Sequence, residues 1–163
     1  MPINTPRELF VLLLSDVRQA TERSGKIFQE MSQVTQHPDI KEALEARVFV
    51  AGKILNSLDE CFKLIKEKPV KLNDRLHDVF VEDFRSELAE MQSPEAKRLF
   101  MLVKASHLIH LRIGEYIALI AAADVTGHFG VGVLLESCLA DTVSFVERTR
   151  RLIREIHREH LAA

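Results

Sequence analysis

The chain has no tryptophan, one tyrosine and two cysteines among its 163 residues. Cys61 and Cys138 stand alone in helical stretches, without CxxC spacing. That excludes a disulfide framework and a thiolate metal knuckle, and leaves two reduced core thiols. Six Gly and five Pro are few, and there is no repeat or low-complexity tract, so 47% hydrophobic residues read as a compact globular composition. No apolar run approaches the roughly 20 residues that span a bilayer, and Met1 to Glu8 lacks the layout of a signal peptide. The expected location is the cytoplasm, without membrane insertion. A formal net charge of −2 gives no general attraction to nucleic acid.

The few prolines present are informative, because they stand where helices begin. Thr5-Pro6-Arg7-Glu8 combines an N-cap, a proline at the first helical position and an acid three residues after the cap. Ser93-Pro94-Glu95 repeats the cap-then-proline signal, and His37-Pro38-Asp39 ends one helix and starts another. Apolar residues then recur every three or four positions, which predicts helices over about 6–35, 38–66, 74–92, 94–124 and 128–160 in a single domain. The expected inner faces are Leu9, Leu13, Val17, Ala20, Ile27, Met31 and Val34 in the first, and Ile40, Leu44, Val48, Ala51, Leu55, Leu58, Phe62 and Ile65 in the second. Leu76, Val79, Phe80, Phe84 and Leu88 line the third. Leu99, Leu102, Val103, Ser106, Ile109, Ile113, Tyr116 and Ile120 line the fourth, and Leu134, Leu135, Cys138, Asp141, Phe145, Leu152 and Ile156 the fifth.

The segment from Lys68 to Ser93 is too long for a hairpin. Its helix, capped by Asn73, covers about 27 Å at 1.5 Å per residue, enough to carry the chain back along the bundle. The fold class is therefore all-α: a ferritin-like four-helix bundle with one long crossover containing a short fifth helix, and with the second and third long helices parallel.

A di-metal site in such a bundle needs a carboxylate from each of two helices and a Glu-x-x-His pair from each of the others. No long helix carries that pair at a central core position. The candidate donors are Asp16 and Glu22, Glu45, His107 and His110, and Asp141, which are few and dispersed. His107 and His110 share a helix face at i and i+3, but as a metal site they lack a third ligand, and helix-packing histidines explain them more simply. Nothing places either cysteine beside a base, so nucleophilic catalysis has no support.

Leu14-Ser15-Asp16 with Ala20, Ala43-Leu44-Glu45-Ala46 and Leu134-Leu135-Glu136 resemble the helix motifs of the YciE/YciF family of ferritin-like bacterial proteins. These are small stress-associated bundles that usually carry a di-metal centre, and the resemblance spans nearly the whole chain. It implies ligand positions that are mostly substituted here. The acid after Ala20 is Thr21, the second-helix ligands fall on Arg47 and Val50, and the Glu-His-Tyr-Glu motif becomes Ile109-His110-Leu111-Arg112. The last acidic run reads Ala140-Asp141-Thr142.

The reading that follows is a non-catalytic structural or interaction protein with a degenerate di-metal site and no cofactor. The alternative is a stress protein binding iron, manganese or zinc around Asp141 and His110, with His107 or Asp16. A polar cluster of Asp16, Arg47, Arg112 and Asp141 is expected inside the bundle, with Arg112 paired to Asp141 or Asp16 and Arg47 a turn or more away in depth. Otherwise both arginines would snorkel to solvent. Arg148, Arg150, Arg151, Arg154, His157, Arg158 and His160 form a basic end, offset by Glu147, Glu155 and Glu159. It is a possible contact face for RNA, an acidic protein or a membrane surface, and more simply a solvated one. Phe10, Phe49, Val50 and Leu111 are apolar residues that the core stripes do not need, which points to a homodimer or a partner helix.

Overall fold

The computed structural model describes residues 3–73 and 75–162, without the side chains of the last four. Five helices follow one another: α1 (Pro6–Val34), α2 (Pro38–Ile65), α3 (Arg75–Glu90), α4 (Pro94–Val125) and α5 (Phe129–Ala162). The predicted starts at Asp74 and the side chain of His160 lie outside the described residues. Local chemistry sets the helix ends. The Thr5 hydroxyl accepts from Glu8 N at 3.1 Å while Glu8 Oε2 accepts from Thr5 N at 3.0 Å, a complete capping box. Ser93 Oγ caps α4 by accepting from Ala96 N at 3.0 Å. Lys66 takes a left-handed φ of 56° to stop α2, and Gly127, at φ 75°, turns the chain from α4 into α5.

The four long helices form a square in which α1 neighbours α2 and α4, and α5 neighbours the same two. Ile40 and Leu44 at the start of α2 share a core cluster with Met101 and Leu102 at the start of α4. Phe62 and Ile65 at the end of α2 share the other cluster with Leu119 and Ala123 at the end of α4. Thus α2 and α4 run parallel across a diagonal, the one-crossover topology.

The crossover is held to the outside of α1. Val70 N donates to Ser15 Oγ at 3.0 Å, and the Gln19 amide bonds both the N–H and the C=O of Leu72, at 3.0 and 2.8 Å. Along α3, Ser24 Oγ meets His77 Nε2 at 3.1 Å and Arg85 pairs with Glu30 at 2.8 Å.

Several helix faces are rotated from their expected phase. In α1 the core takes Phe10, Leu14 and Phe28, whereas Leu9, Leu13 and Val34 are exposed. Phe10 is therefore no surface residue; it is buried and stacks on His128 with ring centres 5.8 Å apart. In α3 the residues turned inward are His77 and Phe84, while Leu76 and Val79 face solvent. In α4 the inward positions are Ala105, Leu108, Ile109 and Arg112, whereas Val103 is exposed and Ser106 and Ile113 sit at the flank. Runs such as Leu12-Leu13-Leu14 fill several faces at once, so spacing alone leaves the phase open by one position.

Part of α5, within Phe129–Arg158, is long and apolar enough to cross a membrane by length and composition alone, with a mean hydropathy of 1.6. Its apolar stretch is interrupted by Glu136 and Asp141 and is therefore not an unbroken run. In the bundle this helix supplies Val131, Leu135, Cys138 and Phe145 to the core.

Candidate functional site: the middle of the bundle

The two apolar clusters meet at a polar layer to which each long helix contributes. Thr21 lies between Val17 and Ile27 on α1, and Arg47 between Leu44 and Ile54 on α2. Arg112 lies between Ile109 and Tyr116 on α4, and Thr142 between Cys138 and Phe145 on α5. All four are buried. The threonines satisfy themselves: Thr21 Oγ1 donates to Val17 O and Thr142 Oγ1 to Cys138 O, both at 2.7 Å. Their hydroxyls are thereby committed to their own helices. Tyr116, fully buried at the same level, faces Thr21. Burial pushes its phenol far above the ordinary range, against the pull of Arg47 and Arg112.

The arginines are the only permanent charges in this layer among the described residues, each just 3% exposed. Neither snorkels to solvent, and Arg112 does not make the expected pair with Asp16 or Asp141. Arg112 Nη1 instead lies 2.7 Å from Glu115 Oε2, three residues on along its own helix. The contact is close but not aligned along an N–H, so it is charge attraction more than a directed hydrogen bond. Arg47 has no carboxylate at salt-bridge distance among the described residues. Its guanidinium carbon sits 6.0 Å from the ring centre of Phe28 and 5.8 Å from that of Phe145, in cation–π contact with both. Burial lowers the pKa of Arg47, opposed by its attraction to Tyr116, Asp141 and Cys138.

The remaining predicted donors do not converge. Asp16 lines a groove of about 260 Å³ between α1 and α4, together with Leu111 and Glu115. Asp141 lines a different cleft, between α2 and α5. His107 and His110 are exposed on α4, and His110 Nδ1 bonds the Ser106 carbonyl at 2.8 Å. Among the described residues no three His, Cys, Asp or Glu side chains gather closely enough to hold a metal ion. A layer of guanidinium groups is the wrong donor chemistry for two cations, so the residues present do not fit the family's di-metal centre. Arg150, Arg151, Arg154 and Arg158 are all exposed, Arg150 lying 3.8 Å from Glu147.

Glu115, Tyr116 and the two phenylalanines around Arg47 were missed as site residues. The i,i+3 spacing of Arg112 and Glu115 was the available signal for the first. The phenylalanines carried none, because they belong to different helices.

A four-helix bundle with a single crossover is the architecture of ferritin-like proteins. The profile of a family described as a domain of unknown function, DUF892, matches residues 5–162. The chain belongs to that family, the YciE/YciF-type ferritin-like bundles. In fold it is similar to the stress protein YciF of E. coli, with a TM-score of 0.89 at 17% identity over 96% of this chain and 99% of that one. It is likewise similar to YcfI of Rhodopseudomonas palustris, with a TM-score of 0.86 at 22% identity over 91% and 94%. A protein of Xanthomonas campestris pv. campestris gives 0.73 at 19% over 98% and 95%. No curated protein sequence matches the chain.

Proposed function

We propose that this chain is a non-catalytic structural or interaction protein of the bacterial cytoplasm, in which the family's bundle persists and its di-metal chemistry is lost. The observation that carries the reading is the central layer. Arg47 and Arg112 are buried at the level where a ferritin-like protein would place metal ligands, with threonines on the other two helices. Permanent cations there oppose metal binding through charge as well as through the lack of lone pairs. The fold shared with a protein named for stress supports a role under stress.

With chemistry set aside, association becomes the working property, and the outer side of α4 supports a homodimer. From residue 103 to residue 123 its exposed positions are Val103, His107, His110, Leu111, Gly114, Ile117, Ala118 and Ala121, with no Asp, Glu, Lys or Arg among them. Gly114, Ala118 and Ala121 let a second helix approach closely, and a two-fold axis across this strip pairs it with itself.

The test is an anaerobic ferrous titration followed by oxygen. The expected result is no saturable iron uptake and no absorbance of an oxo-bridged pair. Stoichiometric binding with such a band would establish the iron-binding alternative around Asp141 and His110.

A further inference from the structure

We propose that the cleft between α2 and α5 binds a small monocarboxylate, with Arg47 as its anchoring cation. The cleft measures about 350 Å³, within the range of small-ligand sites, and Arg47 lines it along with Val50, Asp141, Ser144, Phe145 and Arg151. Arg47 is 3% exposed and always charged, and its Nε and Nη1 have no hydrogen-bond partner. The contacts with Phe28 and Phe145 use none of its N–H donors. A desolvated guanidinium with no carboxylate at ion-pair distance among the described residues is half of a charge pair. The other arginine of the layer shows the contrast, since Arg112 has Glu115 at 2.7 Å.

The remaining groups of the cleft narrow the ligand's chemistry. Arg148 pairs with Glu42 at 2.8 Å and so brings little net charge, while exposed Arg151 adds a second cation at the rim. Asp141 places one negative charge in the same cleft, which disfavours a dianion such as phosphate and tolerates a monoanion. Ala43, Val50 and Phe145 offer apolar wall to a short hydrocarbon stub, and Ser144 is the hydroxyl within the lining. A monocarboxylate with a few carbons satisfies all three features. The inference does not depend on the loss of metal chemistry, because it rests on Arg47 and the cleft alone.

The experiment compares thermal unfolding at constant ionic strength as sodium chloride is exchanged for sodium propionate, sodium benzoate or sodium phosphate. Propionate or benzoate is expected to raise Tm by about 2–4 °C over chloride, the size of a modest ligand effect on a chain of this length. Phosphate is expected to do less. The increment should vanish in Arg47→Met and shrink in Arg151→Ala, and Asp141→Asn should admit phosphate. Ala46→Trp, which fills the cleft and leaves the charge in place, should abolish the increment even if Arg47→Met fails to fold. An equal increment in both the Arg47→Met and Ala46→Trp proteins, no carboxylate effect in the wild type, or phosphate matching the carboxylates there would each overturn the proposal.

Discussion

Arg112 and Glu115, one helical turn apart on α4, form an ion pair of 2.7 Å at the level that separates the two halves of the core. The arginine is buried and the glutamate about a quarter exposed, so removing the two ends has unequal consequences. Glu115→Gln leaves a buried cation without its counter-charge and should destabilise by about 2–3 kcal/mol, below the full cost of a wholly buried pair because water reaches the carboxylate. Arg112→Met replaces charge with a chain of similar reach and should stay within about 1 kcal/mol of wild type, or exceed it. Urea midpoints of the two variants and of the double variant measure the difference. Equal losses from both would show that the pair contributes nothing of its own.

The crossover depends on a side chain that the core does not need. Gln19 closes two hydrogen bonds on the backbone of Leu72, and Ser15 accepts a third from Val70. Gln19→Ala should cost about 1 kcal/mol and act locally. Amide exchange at Leu72 and its neighbours should quicken, while exchange at Leu58 and Ile109 in the core stays unchanged.

The two cysteines link stability to alkaline pH. Burial raises the Cys138 thiol to about 11, against the pull of the nearby Ser57 hydroxyl, and that of Cys61 to about 12. The folded protein thus holds these protons where the unfolded chain, near 9, has released them. The stabilisation is complete below about pH 9 and is lost as the pH climbs through 11 to 12. For Cys138 it amounts to about 3 kcal/mol. Urea midpoints between pH 8 and 11 should fall, and fall less in Cys138→Ala. At pH 8 both thiols should react with iodoacetamide at least a hundredfold more slowly in native than in unfolded protein.

The uncharged strip on α4 predicts that the proposed homodimer comes apart when the strip is charged. Leu111→Glu and Ile117→Glu both fall on exposed positions, so folding should be unaffected within about 0.5 kcal/mol. Sedimentation equilibrium should show a shift from dimer to monomer with either variant. Phe49→Glu, on the outer side of α2, should leave the mass unchanged.

Helix starts and order were legible because single residues decide them: Thr5 with Glu8 and Ser93 with Pro94 sit where capping chemistry places them. The parallel pairing of α2 and α4 was legible from the length of the crossover. Rotational phase was less so. Leu13 and Leu14 are equally apolar, and only packing against α2 and α4 decides that Leu14 is buried. Arg47 and Arg112 stood out through the resemblance to the family's ligand positions, but their partners did not. Long-range attraction of opposite charges pointed to Asp16 and Asp141, whereas helix geometry had already offered Arg112 a nearer acid in Glu115. Asp16 and Asp141 end in separate clefts, a separation that depends on which helices are neighbours and so on the assembled bundle.

The central claim is that arginine, and not metal, occupies the middle of this bundle. Its most direct test is metal analysis of protein purified without a histidine tag from cells grown with added iron, manganese and zinc. The account predicts well under 0.1 metal ion per chain, as expected for a site without a ligand set, and no change on Asp141→Ala. One or two ions per chain that disappear with Asp141→Ala would contradict it.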